Sequence, residues 1–219
     1  MPKKLLICAV MVLTAFVFGC GSDKILGAPD KAVLAYAEIS MTGESENMSA
    51  AGFTDSDKQD IRYRMAQTFT GSLASIAPLN DDSAKKVTDI YFDKLKSSVK
   101  FDVKLKKDDA ERPVVELTTT PIDQNATVKL AVEDNENLIA LIGMVGKLKA
   151  DGATDDDLKN NAQVQDLAVT ALAKYIEDIQ FYPAKTLEVQ CKKATDKDGN
   201  IHWAPLDEEL FVNFLIGEG

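Results

Sequence analysis

The amino-acid sequence predicts an α+β fold, with N-terminal helices packed on an antiparallel sheet, a helical insertion and a C-terminal helix. Three observations predict it. Three segments of helical period precede any segment of strand period. Short alternating segments separated by turns follow, the pattern of neighbouring antiparallel strands with one face on a core. The helical period then returns over 134–180, ahead of a last strand pair and a last helix.

Ala28-Pro29-Asp30 opens the first helix, with proline suited to its first turn. Val33, Tyr36, Ala37 and Met41 follow at helical spacing, and Gly43 to Ser49 breaks the pattern. Thr54 and Asp55, both competent caps, start a second helix. Ile61, Met65, Phe69, Leu73 and Ile76 mark one of its faces, up to Pro78. Asn80-Asp81-Asp82 caps a third, which continues through Val87, Ile90, Tyr91 and Leu95. The period then switches: Val99, Phe101, Val103 and Leu105 alternate with Lys100, Asp102, Lys104 and Lys106, as in a half-buried strand. Lys107 to Arg112 reads as a turn. Pro113 to Thr120 reads as a second strand, its proline at the first position, where a missing N–H is tolerated.

After Pro121-Ile122-Asp123, the alternation of Val128, Leu130 and Val132 predicts a third strand. Asp134-Asn135-Glu136 then leads into Leu138, Leu141, Ile142, Val145 and Leu148, ending at Gly152. Thr154 starts the next helical stretch, which carries Val164, Leu167, Ala171, Leu172, Tyr175 and Ile179 on its face. A strand over 184–193, a turn at Asp196–Asn200, a short strand with Ile201 and Trp203, and a helix from Asp207 complete the chain. No internal repeat or linker interrupts residues 28–219, which read as a single domain.

At the other end, Lys3 and Lys4 precede an almost wholly apolar run from Leu5 to Phe18. That run falls short of the roughly 20 residues that span a bilayer. A charged start, an apolar middle and a small residue before a cleavage point describe a secretory signal over 1–19. Val17-Phe18-Gly19-Cys20 resembles the lipobox of bacterial lipoproteins, with Phe18 standing where a small or β-branched residue is usual. The resemblance implies cleavage between Gly19 and Cys20, acylation of Cys20 with palmitate-like chains, and a short tether over 20–27. Such a protein sits on the extracytoplasmic side of the cell membrane or on an outer membrane.

Charge narrows the partners. With 35 acidic and 25 basic residues the chain carries −10, and losing Lys3 and Lys4 takes it to about −12. Nucleic acid is disfavoured, because neutralising phosphates needs a basic surface. The same charge disfavours apposition of the folded body to anionic lipid. Membrane attachment therefore falls to the lipid on Cys20, and two or three chains are needed because one binds only marginally.

Cysteine counting leaves little redox chemistry. Cys8 departs with the signal and Cys20 is acylated, so Cys191 stands alone and no intramolecular disulfide can form. Cys191 shares a strand face with Leu187 and Val189, which predicts core packing. His202 is the only histidine, too few for a zinc site. It is expected to point outward beside a core-facing Trp203. Asp196-Lys197-Asp198-Gly199-Asn200 reads as a hairpin turn and not as a calcium loop, because Trp203 and Pro205 occupy positions where such a loop needs ligands. Asp155, Asp156 and Asp157 complement a helix dipole. Gly143-Met144-Val145-Gly146 lacks the lysine and hydroxyl of a phosphate loop and predicts close helix packing. No nucleophile elbow is present. No catalytic residue, metal ligand or cofactor is predicted.

The order of elements carries a second resemblance. The lipobox, the helix at Pro29-Asp30, the strand Lys100–Lys106 and the closing run of strand, Asp-Gly turn, Ile201-His202-Trp203 and helix 207–216 resemble a family of uncharacterised bacterial lipoproteins. Their domain of unknown function is related to nuclear-transport-factor-2-like and cystatin-like folds. The resemblance implies a curved antiparallel sheet of about 4–6 strands wrapping helices into a cone whose mouth takes a small ligand or a dimer partner. The stretch 134–180 exceeds what that fold needs and is expected to cap the cone or form a helical subdomain. The expected function is a membrane-anchored, non-catalytic module binding a ligand or a protein. It predicts a filled cone and an exposed apolar patch. A small-pocket enzyme with an Asp or Glu base predicts instead a deep cavity holding a carboxylate of raised pKa near His202 or Tyr182. A structural homodimer through the open sheet face is the remaining alternative.

Overall fold

Helix α1 (Pro29–Thr42) is the axis of the fold: Ala32, Val33, Ala35, Tyr36, Ala37, Ile39 and Met41 are all buried. Burial on nearly every side explains why its apolar residues exceed a single stripe. Pro29 occupies the first turn, and Gly43 closes the helix in the left-handed conformation, donating its N–H to the Ile39 carbonyl. The computed structural model describes residues 25–73, 78–196 and 199–218. The expected signal 1–19, the Gly19–Cys20 cleavage point, Cys8, Ile76, Lys197 and Asp198 lie outside the described residues, as do the side chains of Phe69 and Leu73.

Three helices follow: α2 (Met48–Ala51), α3 (Asp55–Leu73) and α4 (Asp81–Ser98). Thr54 and Asp57 hydrogen-bond reciprocally at the start of α3, and Asn80 caps α4 by accepting from the Ser83 N–H. Ile61, Met65, Val87, Tyr91 and Leu95 are buried, as their helical spacing predicts. The antiparallel strands β2 (Phe101–Lys107) and β3 (Val114–Thr119) come next, with Val115, Leu117 and Thr119 facing the core.

The third predicted strand is a helix. Val128 and Val132 lie in α5 (Gln124–Asp134), and both are exposed. Asp123 decides the matter locally by accepting from the Ala126 N–H, and an alternation of Val128, Leu130 and Val132 also contains an i, i+4 pair. The helical stretch therefore begins at Gln124. It continues through α6 (Glu136–Ala150), α7 (Asp155–Lys159) and α8 (Ala162–Glu177).

The chain then returns to the sheet as β4 (Lys185–Thr195) and β5 (Ile201–Pro205) and ends in α9 (Glu208–Leu215), capped by Asp207. Strand order is β1-β5-β4-β3-β2, where β1 (Ile25–Leu26) lies parallel to β5 and the other pairs are antiparallel. The five strands curl into a half-barrel, so the α+β class with N-terminal helices, curved sheet and C-terminal helix is the architecture found. One part of the expected tether belongs to the body: Ile25 and Leu26 within 20–27 pair with Ile201 and His202. Two glycines allow this. Gly27 and Gly52 both have positive φ, and a Cβ on either would strike the other segment, at Ala51 or at Leu26.

Two apolar clusters share the interior. The larger joins α1, α3, α4, the sheet and α9 through residues such as Ile39, Leu95, Leu117 and Phe211. The smaller is formed within α5–α8 by Ala131, Leu138, Leu141, Val145, Leu158, Val164, Ala168 and Ala171. Leu79 and Tyr175 touch both.

Candidate functional site

The half-barrel is filled. Val33, Ile39, Leu117, Cys191, Phe211 and Leu215 have no appreciable exposure, so the concave face of the sheet holds side chains. Two open grooves mark the surface. One of ≈380 Å³ is lined by Glu38, Thr42, Glu44, Lys58, Lys96 and Phe101, with Lys96 paired to Glu44 at 2.8 Å. The other, ≈350 Å³, lies between α3 and α4, where Arg62 and Lys85 both reach Asp89, at 3.1 and 2.8 Å. In each groove a lysine or arginine is already held by a carboxylate. Where carboxylate pKa values move, at Glu44, Asp109, Glu116 and Asp157, they move down. In each the hydrogen bond donated to the carboxylate, by Lys96, Lys107, Lys106 and Thr154 respectively, favours the ionised form.

Cys191 is fully buried, and desolvation pushes its thiol up to about 12. Trp203 is a core residue. His202 does not point outward as its neighbour's position implied: it is 7 % exposed, with its ring edge-on to Phe53 at 4.7 Å. The reason is that β5 is covered on both faces and flanked by β1 and β4, so its residues 202–205 are all buried. Burial lowers the His202 pKa, opposed by the charges of Asp57, Asp196 and Glu208, and its Nδ1 has no partner among the described residues. Tyr182 lies beneath the Lys185 ammonium, 4.0 Å from the ring centroid.

The remaining motifs resolve into local structure. Asp196 accepts from the Asn200 N–H and side-chain amide at 2.8 and 2.9 Å, as a turn residue does. Thr154 and Asp157 form a capping box at the start of α7, beside Asp155 and Asp156. Among the described residues, no cluster of three or more His, Cys, Asp or Glu side chains is placed to hold a metal ion. No described helix is long and apolar enough to cross a membrane. Tyr36 donates to Glu208 at 2.9 Å, and Arg64 reaches the same carboxylate at 3.2 Å, pinning α9 to α1 and α3.

What stands out is the face of α5 and α6. Eight large hydrophobic side chains are exposed among the described residues, and four lie here: Val128, Val132, Ile139 and Ile142, at 50, 63, 57 and 53 %. Gly143 and Gly146 are also exposed, and a Cβ added to either would meet nothing within 4 Å. The close helix packing expected of this pair is therefore absent among the described residues. The opposite side of α6 is anchored by Leu138, Leu141 and Val145. Asn135, between the two helices, is buried; it accepts from the Leu138 N–H at 3.0 Å and donates to the Ala171 carbonyl at 2.9 Å. Reading Val128 and Val132 as a strand hid half of this patch. The signal that finds it is Asp123 as a cap followed by an i, i+4 valine pair.

Comparison with known proteins adds one likeness. No family model matches the chain, and no curated protein matches it significantly. Among solved structures, the chain is similar to a candidate lipoprotein, ycdA, from Bacillus subtilis. Identity is 13 %, the TM-score is 0.54, and the match covers 87 % of this chain and 55 % of that one. At such identity the likeness is one of fold, and this chain spans about half the length of the structure it matches. The likeness is to a lipoprotein fold and gives no support to a nuclear-transport-factor-2-like or cystatin-like relation.

Proposed function

We propose that the chain is a lipid-anchored envelope protein whose folded body is a non-catalytic binding module, docking a partner through the exposed face of α5 and α6. Anchoring is carried by one observation, the run of Lys3-Lys4, an apolar segment from Leu5 to Phe18, and Gly19-Cys20. The fold shared with a candidate lipoprotein supports it. Binding is supported by a filled half-barrel together with an exposed apolar surface. The leash is short: β1 begins five residues after Cys20, so the acylated residue can lie at most about 18 Å from the sheet. The β1–β5 edge is thus the part of the body held next to the lipid.

Replacing Cys20 tests the anchor. Cys20→Ser is expected to move the protein from the membrane fraction to the soluble or secreted fraction, with loss of incorporated labelled palmitate. Palmitate incorporation and membrane recovery equal to the unaltered chain would overturn the lipoprotein reading.

A further inference from the structure

We propose that two copies of this chain pair on the membrane through an antiparallel contact between their α6 helices. The inference rests on the anchored binding reading above and names the partner. It starts from two glycines the single chain does not use. Glycine inside a helix costs about 1 kcal/mol relative to alanine. Neither Gly143 nor Gly146 has positive φ, and neither is approached by another part of the chain among the described residues. Close approach of a second backbone is the remaining use.

At 3.6 residues per turn, Ile139, Ile142, Gly143 and Gly146 fall in one exposed stripe. The stripe is its own complement. Its midpoint lies between positions 142 and 143, so an antiparallel copy sets Ile139 over Gly146 of the second copy, twice, while Ile142 meets its own counterpart on one flank and Gly143 meets its own counterpart on the other. Bulk then meets the space that an absent side chain leaves. Charge agrees with this direction. Glu136, in the first turn, and Lys147, in the last, are exposed on the same flank of the stripe. Antiparallel pairing brings Glu136 near Lys147 of the second copy, twice per dimer, whereas parallel pairing carries this flank of the two copies to opposite edges of the contact and forms neither ion pair. A single helix pair buries less than the roughly 1,600 Å² of a standard interface. Tethering both copies to one membrane raises their effective concentration and makes so small a contact sufficient.

The test is thiol cross-linking of the full chain in the membranes of its host. Cys191 is buried and does not compete. Gly143→Cys and Ile142→Cys are each expected to give an adduct of twice the monomer mass, and Asn137→Cys, on the far side of the helix, none. Adding Glu136→Lys should cut the adduct about fivefold, and adding Lys147→Glu to that variant should restore it. An adduct of twice the mass that ignores Glu136→Lys would overturn the antiparallel contact. Adducts of another mass at 142 and 143 would overturn the second copy as partner and leave the binding reading standing. A chain in the membrane with no adduct at either position would overturn this use of α6 and leave the anchor intact. A chain absent from the membrane would overturn the anchored reading and this inference with it.

Discussion

At the scale of single residues, burial decides chemistry. His202 is held neutral against Phe53, its pKa lowered from the ordinary 6.5 by desolvation. The unfolded chain therefore binds that proton first, so the stability tied to a neutral ring is complete above pH 6.5 and declines as the pH falls below it. His202→Leu is expected to flatten the loss of stability as the pH falls below 6.5, measured by urea unfolding at a series of pH values. An unchanged slope would place the titration elsewhere. The window is informative because the shifted carboxylates Glu44, Asp109, Glu116 and Asp157 have lowered pKa values and give up their stability at lower pH. Cys191, with its thiol pushed up to about 12, is expected to resist a thiol reagent in the folded protein and react once unfolded. Rapid native labelling would contradict its place in the core.

At the scale of elements, a few polar side chains hold helices where apolar contact alone would not orient them. Asn135 both caps α6 and ties it to α8. Asn135→Ala removes two buried side-chain hydrogen bonds, the cap of α6 and its tie to α8, and is expected to lower stability by about 2 kcal/mol in thermal or denaturant unfolding. A change within a few tenths of a kcal/mol would mean that water or a shifted helix takes over both partners. Tyr36→Phe removes one bond to Glu208 and leaves Arg64 and Lys192 against that carboxylate. The expected loss is about 1 kcal/mol, read from the same unfolding curves.

At the scale of the whole molecule, the two apolar clusters predict two levels of opening. The smaller cluster depends on α5–α8, and its own buried leucines are Leu138, Leu141 and Leu158. Hydrogen exchange is expected to show α5–α7 opening at lower free energy than β3 and β4. Leu141→Ala, costing about 3 kcal/mol, should accelerate exchange in α5–α7 and leave the sheet nearly unchanged. Leu117→Ala, in the main cluster, should accelerate both. Equal acceleration everywhere in Leu141→Ala would show a single cooperative unit.

Much of this architecture was legible in the sequence because its causes are local. Pro29, Asn80, Thr154 and Asp207 begin helices, and Gly43 ends one; period-two runs at 101–107, 114–119 and 185–195 make strands. What the tertiary structure alone decided depends on neighbours distant in sequence. Ile25 and Leu26 became a strand because β5 presents an open parallel edge and Gly27 and Gly52 permit the approach. His202 went inside because both faces of β5 are covered, and Gly143 and Gly146 stayed outside because none of the described elements packs against them. Period and capping belong to a few consecutive residues, whereas burial is a property of what the rest of the chain places opposite.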